Sequence, residues 1–145
     1  MYSIKTESHF DSAHFLHGYE GKCSNIHGHH WRVSAQINRD ELKERGDERG
    51  MIVDFGILKA ALNHETEILD HTLIIEKGSL RENTLLALKD EGFKVVTLDF
   101  RPTAENLSKY FWDRLKEKGY ELSLVEVYET PENCAAYYEA DRDAV

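Results

Sequence analysis

The sequence predicts an α+β fold: an antiparallel four-stranded sheet with helices packed on one face. Three observations support it. Period-two alternation of apolar and polar residues falls near the two ends of the chain, over Tyr2–His14 and His27–Asn38, then over Glu121–Glu129 and Cys134–Glu139. Segments with apolar residues at helical spacing lie between those pairs. Paired strands interrupted by helices, rather than strict strand–helix alternation, favour an antiparallel sheet with one covered face. At 145 residues the chain reads as one domain, 1–145, able to bury about 70% of its unfolded surface.

Each element has a local reason. Tyr2–His14 places Tyr2, Ile4, Phe10 and His14 at even positions. In His27–Asn38 the odd positions read His27, His29, Trp31, Val33, Ala35 and Ile37, so two imidazoles share the face that buries Trp31, and His30 points away. Residues 40–50 are charged and punctuated by glycine, an exposed connection. Asp54–Leu69 reads as a helix with Asp54 as N-cap and a stripe of Phe55, Leu58, Leu62, Ile68 and Leu69. A second helix is expected over Leu80–Glu91, then a short strand over Lys94–Leu98. Thr103–Lys118 is a third helix, entered from Pro102, capped by Thr103 and closed by Gly119. Glu121–Glu129 carries Val125, Val127 and Glu129 on one face. A sheet of so few strands has exposed edges, which favours oligomerisation.

Composition narrows the partners. Asp and Glu number 27 against 18 Lys and Arg, a net charge of −9, and no basic block exists to grip a nucleic-acid backbone. No apolar run approaches the roughly 20 residues of a membrane helix. Met1–Glu7 lacks the apolar stretch and cleavage site of a signal peptide. Neither a membrane nor a nucleic-acid partner is expected, and the expected location is cytoplasmic. The two cysteines, Cys23 and Cys134, read as thiols, Cys134 as a small packing residue.

Histidine is over-represented locally: six of eight lie in the first 30 residues. His27 and His29 sit about 7 Å apart on one strand face, within reach of one ion. His14 ends the neighbouring strand. Three neutral imidazoles with an open position suit catalytic zinc; the alternative is that His27 and His29 merely flank a core. His9, His17 and His30 read as surface or supporting groups and His64 as solvated. Cys23, four residues before His27 in a polar loop with Lys22, suits a reactive thiol beside a dication, or else a fourth zinc ligand. Asp70-His71 is either a proton-transfer pair or a polar helix exit. Glu129 is either a partly buried carboxylate for a cyclic amidine or guanidine donor, or a strand end turned to solvent.

Taken together, the pieces Phe10-Asp11-Ser12-Ala13-His14, Cys23-Ser24-Asn25-Ile26-His27-Gly28-His29, Val53-Asp54-Phe55-Gly56-Ile57-Leu58-Lys59, Leu69-Asp70-His71, Pro102-Thr103-Ala104-Glu105-Asn106 and Val127-Tyr128-Glu129-Thr130-Pro131 resemble the 6-pyruvoyl-tetrahydropterin synthase / 6-carboxytetrahydropterin synthase family, in family order over most of the chain. The resemblance implies a tunnelling fold whose sheets assemble into a barrel, in a homohexamer (a dimer of trimers) with active sites between subunits. It implies zinc held by His14, His27 and His29, Cys23 as the proton-abstracting thiol and Asp70–His71 as its acid–base partner. It makes Glu129 the anchor of a pterin ring, with Thr103 and Glu105 nearby, and 7,8-dihydroneopterin triphosphate the substrate. The carboxy-forming branch cleaves a side-chain carbon–carbon bond, releases acetaldehyde and triphosphate, and yields 6-carboxy-5,6,7,8-tetrahydropterin for 7-deazaguanine and queuosine synthesis. A single cysteine four residues before His-Gly-His looks like that branch. The segment from Glu76 to Leu98 is longer than in short bacterial members. A pyruvoyl-tetrahydropterin synthase and a non-catalytic zinc-stabilised binding module remain the alternatives.

Overall fold

The computed structural model describes residues 1–140; residues 141–145 of the expected 1–145 domain lie outside them. The two alternating segments at the N-terminus form one long hairpin. β1 (Tyr2–His14) pairs antiparallel with β2 (His27–Arg39) along its length, placing Phe10 opposite Trp31 and His14 opposite His27. Because side chains alternate across a strand, Phe10 and His14 share one face with His27, His29 and Trp31.

Helix α1 (Phe55–Leu69) starts where Asp54 Oδ1 accepts hydrogen bonds from the backbone N–H of Gly56 and Ile57, the expected cap. Its buried residues are Leu58, Leu62, Glu65, Thr66 and Leu69, whereas Phe55 and Ile68 are exposed. The inward stripe is thus narrower than the apolar pattern suggests and includes a carboxylate. Glu65 is fully buried between α1 and α3 (Ala104–Glu117), and its two oxygens meet Arg114 Nε at 2.9 Å and Lys118 Nζ at 3.2 Å. Helix α3 begins as expected: Thr103 Oγ1 accepts from the Asn106 N–H at 3.2 Å. α2 (Glu82–Asp90) is shorter than its expected span and buries no residue.

The expected four-stranded antiparallel sheet is corrected by the structure. Six strands pair in the order β4-β3-β1-β2-β5-β6, with β3 (Thr72–Glu76), β4 (Val95–Leu98), β5 (Leu124–Tyr128) and β6 (Cys134–Tyr137). The sheet is mixed, because β3 runs parallel to β1 over Ser12–His14 and β4 runs parallel to β3. β3 has no alternation to detect: Thr72, Ile74 and Ile75 are all buried, so the strand reads as a short apolar run directly after a helix.

The core lies between one face of this sheet and helices α1 and α3. Phe10 stacks on Trp31 at 5.7 Å and meets Phe111 at 5.8 Å, with Leu62, Leu69, Leu107 and Leu115 closing the layer. Each such buried side chain contributes about 1.5–3 kcal/mol. The opposite face is polar. Arg32 bonds Glu7 at 2.9 Å and lies 3.7 Å over the Tyr128 ring, while Lys5 pairs with Glu126 at 3.3 Å. Among the described residues, no helix is long and apolar enough to cross a membrane.

Candidate metal centre

The hairpin register brings three imidazoles together at one end of the core face. His14, His27 and His29 each offer a ring nitrogen, and the three atoms lie within 4.8 Å of one another. Their surroundings settle which nitrogens face inward. The His14 Nδ1–H donates to the Pro102 carbonyl oxygen at 2.7 Å, and the His27 Nδ1–H donates to the Asn25 carbonyl at 2.7 Å. A carbonyl only accepts, so in the neutral rings both Nε2 atoms carry lone pairs. Those two atoms face each other at 3.1 Å, where two acceptors repel unless a cation lies between them. His29 Nε2 is buried without a hydrogen-bond partner. Two lone pairs whose direction the carbonyls fix, with the unpartnered His29 Nε2 beside them, fit a divalent metal bound through imidazole.

Electrostatics favour the neutral form of His29. Burial holds the His29 imidazole below its ordinary value; Glu129 opposes that shift, and His14 and His27 add to it. Trp31 lies edge-on to His14 at 5.0 Å and to His29 at 5.2 Å, packing two of the rings in place. Glu129 sits one residue past β5, with Oε1 3.4 Å from both His14 Nε2 and His29 Nε2. The neighbouring His14 holds its carboxyl below the usual range against the effect of burial, with His29 adding to the shift. Of the two readings left open for Glu129, the half-buried carboxylate is the one found. It also lines a cavity of about 180 Å³ with Leu16, Thr103, Glu105 and Asn133. Thr103, Glu105 and Glu129, separated in sequence, therefore share one cavity beside the imidazoles.

Cys23 is half-buried in a single 3-10 turn, Lys22–Ser24, outside the three-histidine cluster. The turn is tied to the segment that follows β1 and closed by the residue after it. The Leu16 N–H donates to the Cys23 carbonyl at 2.8 Å, and Asn25 donates to the Lys22 carbonyl through its backbone and its side chain, each at 3.1 Å. Asp70 and His71 form a pair in which His71 Nδ1 lies 2.9 Å from Asp70 Oδ2. β1 holds this pair from the side: the Asp11 N–H donates to Asp70 Oδ1 at 2.8 Å and the His71 N–H donates to the Asp11 carbonyl at 2.7 Å. His71 adopts a left-handed φ of 55° to make that bond. The Asp11 amide, followed by His71, holds Asp70 below the usual carboxylate range. His71 is exposed and lines a separate cavity of about 320 Å³ with Ile26, Leu73, Leu88 and Phe93. The structure thus gathers His14, His27, His29, Glu129, Thr103 and Glu105, and sets Asp70–His71 on another wall, where Ile26 links it to the Cys23–His27 segment.

Sequence reasoning missed several groups. The Pro102 and Asn25 carbonyls orient two imidazoles, but a backbone acceptor leaves no side-chain signature. Leu16 and Cys134 line the Glu129 cavity. Cys134, expected to pack, is exposed because β6 is an edge strand. His30 behaves as expected: its Nδ1–H bonds Asp11 Oδ1 at 2.7 Å on the opposite face, and its ring stacks on His9.

Comparison with known proteins identifies the family. Residues 3–140 match the model of the family described as 6-pyruvoyl tetrahydropterin synthase. A protein of Haemophilus influenzae named 6-carboxy-5,6,7,8-tetrahydropterin synthase is 32% identical over 142 residues, covering 96% of this chain and 100% of that protein. A protein of the same name from Synechocystis is 35% identical over 144 residues, 95% of this chain and 94% of its own. The solved 6-pyruvoyl tetrahydropterin synthase of Caenorhabditis elegans is similar in fold, with a TM-score of 0.69 at 23% identity over 96% of each chain. With nearly its whole length matched, the chain belongs to the 6-pyruvoyl tetrahydropterin synthase family.

Proposed function

We propose that this protein is a zinc-dependent carbon–carbon lyase acting as one synthase domain over 1–145. It converts 7,8-dihydroneopterin triphosphate to 6-carboxy-5,6,7,8-tetrahydropterin, releasing acetaldehyde and triphosphate, in cytoplasmic 7-deazaguanine and queuosine synthesis. The observation that carries this reading is the convergence of three imidazole nitrogens beside the cavity that Glu129 shares with Thr103 and Glu105. The names of the relatives from H. influenzae and Synechocystis point to the same product.

His14, His27 and His29 hold the zinc, which when bound supplies a Lewis acid to the hydroxyls of the substrate side chain. The other roles follow from the chain's own groups. Glu129, held in its anionic form, accepts two N–H bonds from the amino-pyrimidine edge of the pterin, the charge-assisted bidentate arrangement that selects such rings. Thr103 and Glu105 line the same cavity and bound that ring. The Cys23 thiolate removes a proton from the substrate. Asp70 fixes His71 with Nδ1 protonated, leaving Nε2 free to take up or return a proton. Since Asp70–His71 faces a different cavity from Glu129, the complete site forms between subunits of a homohexamer, a dimer of trimers. In support, β3 covers the edge of β1 only at Ser12–His14, leaving Tyr2–Asp11 without a strand partner on that side among the described residues.

A second reading, 6-pyruvoyl tetrahydropterin synthesis, draws on the description of the matching family model. Mass analysis of the product from zinc-loaded protein and 7,8-dihydroneopterin triphosphate separates the two. Carboxytetrahydropterin with acetaldehyde is the expected result. Pyruvoyl-tetrahydropterin overturns the branch, and unchanged substrate from metal-loaded hexamer overturns the catalytic reading.

A further inference from the structure

We infer that Asn25 is a positioning residue that couples the Cys23 turn to the metal centre; this rests on the roles proposed above for Cys23 and His27. Asn25 bonds in both directions. Its backbone carbonyl accepts the His27 Nδ1–H at 2.7 Å, so the orientation of that imidazole depends on where Asn25 lies. Its side-chain Nδ2–H donates to the Lys22 carbonyl at 3.1 Å, and its backbone N–H donates to the same oxygen at 3.1 Å. Lys22 and Asn25 therefore bracket Cys23, and one residue closes both the turn and the bond to the ring. At the other end of the turn, the Leu16 N–H holds the Cys23 carbonyl at 2.8 Å, two residues beyond His14.

The two bonds at Asn25 differ in what a substitution removes. The carbonyl survives any side-chain change, so His27 keeps its tautomer and the metal its ligand. The Nδ2–H bond is lost, which leaves the backbone N–H as the one Asn25 tie to the Lys22 carbonyl on this exposed turn. A solvent-exposed neutral hydrogen bond of this kind shifts an order–disorder equilibrium about three- to tenfold. The expected consequence is a thiol less often in place, with an unchanged metal site.

Zinc-loaded and zinc-free protein, parent and variants, are compared in two measurements. Iodoacetamide alkylation, with peptide mass mapping to separate Cys23 from Cys134, reads the thiol directly. Steady-state turnover of 7,8-dihydroneopterin triphosphate, with zinc stoichiometry, reads the site. In the parent, zinc loading changes the Cys23 alkylation rate by about threefold or more, because fixing His27 fixes the turn. In Asn25→Asp and Asn25→Ala that ratio falls toward one. In both variants kcat drops about three- to tenfold while KM and zinc content hold. Aspartate keeps the volume of asparagine and loses the donor, and alanine adds no charge, so agreement between them isolates the N–H. The coupling is overturned if the ratio is near one in the parent, if the variants keep the parental ratio, or if they lose zinc. Should the parent turn over no substrate, the functional reading fails alone, since the alkylation ratio still decides the coupling.

Discussion

At the scale of single residues, the division of labour between ligand and thiol makes a sharp prediction. Cys23 lies outside the three-imidazole cluster. Cys23→Ala is therefore expected to bind zinc with parental stoichiometry and to lose at least about a hundredfold in kcat, the usual worth of a positioned proton-transfer group. Zinc content by atomic absorption beside a turnover assay checks this, and loss of metal with activity contradicts it. Asp70 gives a pH prediction. The Asp11 amide and His71 hold its carboxyl below the usual range in the folded chain, so the unfolded chain takes up that proton first as pH falls. The carboxylate's contribution is full above its unfolded-state value and is lost as pH falls through the depressed one. The difference in urea midpoint between the parent and Asp70→Asn should be present at about pH 7 and narrow as pH falls below the ordinary carboxylate range; a pH-independent gap contradicts it. Much of the site was legible at this scale because alternation alone puts His27, His29 and Trp31 on one face. The Pro102 and Asn25 carbonyls were not legible, since their positions depend on tertiary folding of the α3 entry and the Cys23 turn.

At the scale of elements, capped helices and alternating strands were read correctly, and parallel pairing was not. Asp54 and Thr103 mark helix starts through side-chain oxygens that bond the first turn. β4 lies within the strand expected over Lys94–Leu98, but β3 carries no comparable mark: a five-residue run such as Thr72–Glu76 pairs with Ser12–His14 through contacts distant in sequence. Glu65 shows the same limit, because a glutamate on an inward stripe is intelligible only once α3 brings Arg114 and Lys118 against it. That contact joins α1 to α3 and makes its own prediction. Arg114→Met leaves a fully buried carboxylate with Lys118 as its remaining charged partner among the described residues, and should cost about 3 kcal/mol in chemical denaturation. Adding Glu65→Met should recover part of that loss, because the uncompensated charge goes with it. An additive double variant contradicts the pairing.

At the scale of the whole molecule, the two faces of the sheet have different tasks. One carries the core and, at its end, the imidazoles. The other is lined by paired charges such as Glu7–Arg32 and Lys5–Glu126 and stays free of helices α1 and α3. Trp31 links packing to chemistry, stacked on Phe10 inside the core and edge-on to two of the three rings. In the proposed hexamer the Asp70–His71 wall of one subunit meets the imidazole end of another. The proposed chemistry depends on a metal that His14, His27 and His29 would hold, with Cys23 outside the ligand set. Cobalt substitution followed by visible and near-ultraviolet absorption tests that arrangement most directly. A three-imidazole centre predicts one cobalt per chain, ligand-field bands without thiolate charge transfer, and loss of the spectrum in His27→Ala but not in Cys23→Ala. A strong thiolate-to-cobalt band that disappears in Cys23→Ala would make Cys23 a ligand and the site closed, contradicting the proposed chemistry.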